Sequence, residues 1–132
     1  TWNGVNGSGN GMVAYCWAEI AGFSAFGSYT GNGSTDGPFI YLGFRPKYII
    51  TKNTTTATTN WLTWDSTTNS YNASNLYLIP NSSGAEQTTG GDIDILSNGF
   101  KLRNVGAAVN GSGNPYIYAA FAENPFKYSN AR

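Results

Sequence analysis

The side chains that most enzymes use for catalysis are sparse in this sequence of 132 residues. It contains no histidine and a single cysteine, Cys16, which excludes Ser/His/Asp and Cys/His nucleophilic catalysis and any histidine-bearing metal site. Two-carboxylate glycoside hydrolysis remains open, but none of the seven acids has a distinctive setting. We therefore predict that the chain is not an enzyme and uses no cofactor.

Aromatic side chains set among asparagine and threonine are the best candidates for contact with a ligand. Such rings can support sugar rings while nearby amides and hydroxyls supply hydrogen bonds. The predicted carbohydrate site consists of Trp61, Trp64, Tyr71 and Asn69, and Trp2 is a further aromatic of the same kind. Strand alternation places Trp61 and Trp64 on opposite faces, so at least one of them is expected in the core. Plain packing is the alternative for each aromatic.

Two acids that follow a pair of glycines are the only candidate for metal binding. Asp92 and Asp94 could offer oxygen ligands to calcium, but a dedicated calcium site usually gathers more ligands within one loop. We expect them to pair with Lys101 and Arg103 instead and predict no metal.

The chain is polar but almost uncharged. Its seven basic and seven acidic residues make up 11% of the sequence, against about 25% in ordinary soluble domains. No Lys/Arg cluster is present, which argues against a nucleic-acid partner, and no apolar run approaches the roughly 20 residues that span a bilayer. Such a surface is typical of extracellular or virion-exposed β proteins that contact glycans, and equally of a turn-rich sandwich without a ligand.

One block of sequence occurs twice. Val-Asn-Gly-Ser-Gly-Asn at residues 5–10 returns 104 positions later at 109–114, and each copy leads into an apolar run, 12–19 and 116–123. Cys16 aligns with Ala120, which indicates a small buried side chain rather than a reactive thiol. We interpret residues 1–23 as the closing strand of a preceding repeat module and residues 24–132 as one complete module, packed together as one compact unit.

Short runs with strand character dominate the sequence. Predicted strands are 12–19, 39–44, 48–52, 61–65, 75–79 and 116–123, with a turn or bulge at Arg45-Pro46 and a hairpin across the threonine-rich tract near 53–60. Glycine and asparagine-rich turns separate them, and no helical pattern of useful length is present. The predicted fold is all-β, an antiparallel β-sandwich of jelly-roll or lectin-like type with little or no helix.

The clearest local signal is a hairpin within residues 92–103. Asn98-Gly99 is a preferred two-residue hairpin turn, and alternating sequence flanks it. The implied register places Ile95 opposite Leu102 and Asp94 opposite Arg103, which makes one face apolar and the other charged.

Several motifs together resemble an uncharacterised domain family found in large virion proteins of tailed phages. They include Val13-Ala-Tyr-Cys-Trp-Ala-Glu-Ile-Ala-Gly-Phe23, Asp36-Gly-Pro-Phe39, Leu42-Gly-Phe-Arg-Pro-Lys47 and Tyr116-Ile-Tyr-Ala-Ala-Phe-Ala-Glu-Asn-Pro-Phe126. Members of that family are usually tail-fibre-like or structural proteins, often with laminin-G or concanavalin-like lectin domains beside them. The resemblance brings no catalytic or ligand-binding residues with it.

The resemblance implies a bacteriophage structural protein on the virion surface, in the extracellular space. We expect a fibre or adhesin-type module that contributes to attachment to a host-surface glycan. Its expected partners are other virion proteins and further copies of itself, since fibres are often trimers. One alternative is a head fibre or capsid decoration protein with no sugar site, and a second is a carbohydrate-binding module of a larger secreted protein.

Overall fold

The structure, a computed structural model, describes residues 7–125. Seven strands form two antiparallel sheets in this range, which contains no helix and therefore none that could cross a membrane. The strands are β1 Ser24–Thr30, β2 Phe39–Tyr41, β3 Pro46–Asn53, β4 Trp61–Asp65, β5 Ile93–Leu96, β6 Gly99–Leu102 and β7 Pro115–Ala122. The predicted all-β antiparallel fold is confirmed. Trp2, Val5 and Asn6 lie outside the described residues.

The strand order places β7, the last strand within residues 7–125, in the middle of a sheet. Sheet I has the order β1-β7-β3-β4 and sheet II the order β2-β6-β5. β7 pairs along its length with both β1 and β3, with a bulge in β3 next to Pro46. The break predicted at Arg45-Pro46 is thus a bulge, as expected where proline cannot donate a ladder hydrogen bond.

The core lies between the two sheets. Ile49 and Trp64 of sheet I and Phe100 of sheet II are almost fully buried. Phe100 meets the rings of Tyr29 and Tyr118 edge to face, with centroids 6.4 Å and 5.7 Å away. Burial of each large apolar side chain contributes about 1.5–3 kcal/mol to folding, so these inward-facing positions hold the two sheets together.

The predicted hairpin is present as β5 and β6, but its register differs from the prediction. The cross-strand pairs are Ile93 with Leu102, Asp94 with Lys101, Ile95 with Phe100 and Leu96 with Gly99. The predicted pairing of Asp94 with Arg103, and of Ile95 with Leu102, is therefore wrong by two residues. A shift of two keeps every side chain on its face, so the apolar and charged faces are as predicted.

Gly99 explains the shift in register. It belongs to β6 and pairs with Tyr41 of β2, where an added Cβ would overlap the carbonyl oxygen of Ile40. The glycine therefore permits close approach of a neighbouring strand and is not a turn residue. The turn consists of Ser97 and Asn98 instead.

Two strands predicted from the sequence are absent from the structure, and one observed strand is not predicted. Residues 12–19 form no strand and are exposed throughout. Residues 75–79 contribute only isolated bridges, among them Thr63 with Leu78 and Tyr77 with Gln87. β1 was not predicted, because Gly27 interrupts its apolar pattern. An added Cβ at Gly27 would lie 2.8 Å from the Tyr118 hydroxyl, so the glycine leaves room for this side chain.

Asn110 joins two asparagine and glycine-rich turns, the one before β7 and the one after β1. Its Oδ1 accepts from Asn32 N at 2.9 Å, and its Nδ2 donates to Asn32 Oδ1 at 2.9 Å and to Ser34 O at 2.8 Å. The backbone adds Gly31 N to Asn114 O at 2.9 Å. Asn110 is completely buried, so the repeated block is a structural element here.

Two stacked tyrosines anchor β1 and β7 to the same region. The rings of Tyr29 and Tyr116 are parallel with centroids 4.8 Å apart. Their hydroxyls donate to Val109 O at 2.8 Å and Ala107 O at 2.7 Å, and Gly111 N donates to the Tyr116 hydroxyl at 2.8 Å. Burial, together with neighbouring Tyr116, raises the pKa of Tyr29, so its hydroxyl remains a donor.

Candidate functional site

Sheet I is apolar on its outer face as well as on the face that forms the core. In β7, Tyr116 and Ala120 are fully buried between the sheets, while Ile117, Ala119 and Phe121 alternate with them on the other side. Neighbouring strands continue this outer face with Phe26, Tyr48, Ile50 and Trp61. Apolar residues on both sides of a strand indicate that the outer face is also used for contact.

A groove of about 600 Å³ crosses this outer face. Phe121 lines it and contacts Phe26 and Tyr48, with ring centroids 5.9 Å and 6.4 Å away. Trp17 from the segment that precedes β1 and Asn81 from the loop after β4 also line the groove. The site therefore combines four strands, β1, β3, β4 and β7, with side chains from two irregular segments.

Trp61 is the aromatic best placed for contact with a ligand. Its side chain is 36% exposed and lines the groove, and it begins β4. Its backbone N donates to Asn81 Oδ1 at 3.0 Å, and Asn81 Nδ2 donates to Asn60 Oδ1 at 2.8 Å. These bonds hold the amide of Asn81 at the edge of the groove beside the indole.

Two of the four predicted carbohydrate-binding residues are unsuited to that role. Trp64 is 1% exposed, and its Nε1 donates to Gly91 O at 2.8 Å within the core. Asn69 is buried, and its amide both donates to Leu76 O at 2.6 Å and accepts from Leu76 N at 2.9 Å. The prediction is corrected at these two positions, since neither side chain has a free face or a free polar atom for a sugar.

The other two predicted residues do not form one site. Trp61 lies in the groove, as described, whereas Tyr71 is 87% exposed and does not line it. The predicted placement of Trp61 and Trp64 on opposite faces of one strand is confirmed. Alternation thus separates the two tryptophans that the sequence groups together.

Asp92 and Asp94 both have protein partners. Asp94 Oδ2 accepts from Arg103 Nε at 2.5 Å, as the sequence predicts, and Asp92 Oδ2 accepts from Asn104 Nδ2 at 2.7 Å. Lys101 pairs with Asp36 instead of these acids. Within residues 7–125 no group of three or more metal-ligating side chains comes together.

Other carboxylates are also held in pairs on the surface. Lys101 hydrogen bonds to Asp36 and lowers its pKa, with the charges of Lys101 and Arg103 acting in the same direction. Burial raises the pKa of Asp65, but hydrogen bonds from residues 67–68 outweigh it and the net pKa is lowered. Both acids are therefore ionised at neutral pH, whereas a general acid needs a raised pKa.

Trp17, Tyr48 and Phe26 are the site residues that sequence reasoning did not identify. The sequence predicts strands at residues 12–19 and 48–52, which contain Trp17 and Tyr48, but gives neither residue a role in a site. The available signal was the presence of large apolar residues on both faces of β7, which indicates a second contact surface. Local sequence does not reveal which strands lie beside β7, so it could not assemble the groove.

The fold and groove define a class of protein, a β-sandwich module with an aromatic groove across the outer face of one sheet. A family model described as a domain of unknown function (DUF7483) matches residues 2–125, and the chain belongs to that family. No curated protein and no solved structure matches the chain.

Proposed function

We propose that the chain is a non-catalytic structural module of a tailed-phage virion surface protein, of fibre or adhesin type. In this proposal the groove on sheet I binds a host-surface glycan, and Trp61 provides the face on which a sugar ring stacks. The observation that carries the proposal is the placement of the partly exposed Trp61 beside the amide of Asn81 in a groove of about 600 Å³. The virion location rests on the sequence motifs and on the polar, weakly charged composition.

The size and construction of the groove support glycan binding. Ligand sites commonly measure about 300–1,000 Å³ and combine aromatic side chains with a few fixed polar groups. Trp61, Tyr48 and Trp17 supply aromatic faces, and Asn81 supplies a fixed amide. The two inner strands beneath, β7 and β3, are paired with a strand on both sides, so the site is formed before a ligand arrives.

A second candidate function is that of a head fibre or capsid decoration protein without a sugar site. The observation that favours it is the nearly complete apolar lining of the groove, where Asn81 is the one amide. Sugars need several hydrogen bonds, whereas the core of a protein interface is aromatic and apolar. In this case the groove is covered by another virion protein.

Binding measurements on two variants separate these functions. We expect the purified chain to bind envelope polysaccharide from the host bacterium, and Trp61→Ala to weaken binding at least about tenfold, or ~1.4 kcal/mol. Tyr71→Ala is the matched control, because Tyr71 is an exposed aromatic outside the groove. Its affinity should equal that of the unaltered chain.

The opposite results are equally specific. If the unaltered chain binds neither host cells nor their polysaccharide, the glycan site is excluded. An oligomer detected by light scattering that dissociates in Trp61→Ala would favour the second candidate. Antibody labelling of the phage particle on the capsid rather than the tail would do the same.

A further inference from the structure

Residues 12–19 are a copy of the central strand of sheet I that has no strand partner in this structure. They align with residues 116–123, yet Val13, Tyr15 and Trp17 are 80%, 77% and 66% exposed. Tyr15 and Trp17 stack only on each other at 6.3 Å, apart from the contact of Trp17 with the groove. A segment with this much exposed apolar surface is unfavourable in water unless something covers it.

Several side chains of this segment match β7 in the properties that its surroundings require. Met12 aligns with Tyr116 and Cys16 with Ala120, and both of these β7 residues are completely buried. Trp17 aligns with Phe121, which lies on the outer face of sheet I. The segment therefore has a small residue, Cys16, at the position that faces the core and a large aromatic residue, Trp17, at the position that faces outward.

The turn before the segment already has the geometry of the turn before β7. Asn10 N donates to Gly7 O at 3.2 Å, and Asn114 N donates to Gly111 O at 3.1 Å. Gly9 and Gly113 have φ values of 79° and 74°. The turn thus forms from its local sequence, whereas the strand after it does not form without neighbours.

We propose that residues 12–18 form the central strand of a second module of this same fold, between the β1 and β3 strands of that module. By the pairing of β7, Met12 would lie between the counterparts of Tyr29 and Asn53, and Cys16 between those of Ala25 and Ile49. In the present chain β7 already occupies the position between β1 and β3. The partner is therefore a module that lacks its own closing strand. Adjacent modules would then share a strand instead of being joined by a flexible linker.

A tandem fusion that keeps the whole chain intact tests this proposal. Residues 20–104 are placed directly ahead of residues 1–132, which brings residues 12–19 into the place of 116–123 for the first unit. The fusion contains one thiol, Cys16, which is exposed in the present structure. We expect its reaction with a disulfide reagent to be at least about 100-fold slower in the fusion than in the unfused chain, because a central strand must open before it reacts.

Two further fusions make the result decisive. In the control, residues 20–123 precede the chain, so the first unit has its own β7 and Cys16 should react as fast as in the unfused chain. In the second, Met12→Tyr and Ala14→Tyr restore the tyrosines of β7 in case the first fusion folds poorly. Protection of Cys16 in either test fusion, with rapid reaction in the control, supports the proposal.

Two results would overturn it. One is rapid reaction of Cys16 in both test fusions. The other is protection of Cys16 in the unfused chain that increases with protein concentration, which would place the segment on a second copy of this chain.

Discussion

Replacing Asn110 by alanine should cost about 2–4 kcal/mol of the free energy of unfolding. The substitution removes three hydrogen bonds, one from Asn32 N and two donated to Asn32 Oδ1 and Ser34 O. Each intramolecular hydrogen bond contributes about 0.5–1.5 kcal/mol net, and a buried group left without a partner costs more. Because Asn110 is completely buried while Asn32 is exposed, water can replace only part of what is lost.

Denaturant unfolding followed by tryptophan fluorescence measures this cost, because Trp64 in the core reports the loss of packing. Asn75→Ala is the matched control, since Asn75 is exposed, and its unfolding free energy should change by less than about 0.5 kcal/mol. An Asn110→Ala chain as stable as this control would refute the assignment of the repeated block as a structural connection. A double substitution with Asn32→Ala should cost less than the two single changes added together, because the residues bond to each other.

Two other substitutions test the hairpin and the surface acids. Gly99→Ala should destabilise the chain by about 2 kcal/mol or more, because its Cβ would overlap the carbonyl of Ile40, whereas Gly11→Ala faces open space and should be nearly neutral in thermal unfolding. Asp36 and Asp65 have lowered pKa values, so their contribution is present above the unfolded value of about 3.9 and is lost as pH falls through the folded values. Stability measured against pH should therefore fall below about pH 4, and less steeply in Asp65→Asn; an unchanged slope would contradict the role of Asp65.

Those parts of the fold that depend on neighbours along the chain could be predicted from sequence. The alternation of Trp61 and Trp64, the strand over residues 61–65 and the two faces of the hairpin all follow from a period of two. The exact hairpin register does not, because Gly99 is selected by the approach of β2, a strand about 60 residues earlier. Similarly, Gly27 in β1 interrupts the local pattern to admit Tyr118 from the far end of the chain.

The candidate site was harder to predict than the fold. The groove takes residues from β1, β3, β4 and β7 and from the segment that contains Trp17, and the order of strands in a sheet is not encoded locally. Asn69 shows the same limit, because an asparagine in a polar stretch can serve a ligand or, as here, the backbone of Leu76. Only Trp61 combines a position readable from the sequence with a place in the groove.

The position of β7 also determines when the module can fold. β1 and β3 are not adjacent in sheet I, so neither has its main partner until β7 is present. Pairing Ser24 with Phe121 closes a very long loop, and contacts so distant in sequence slow folding, typically to milliseconds or seconds. On the ribosome, the pair β3 and β4 and the hairpin of β5 and β6 can assemble early, but sheet I is incomplete until residues 115–122 emerge. Until then the place of β7 between β1 and β3 is empty. Another strand of similar sequence could compete with β7 for this place.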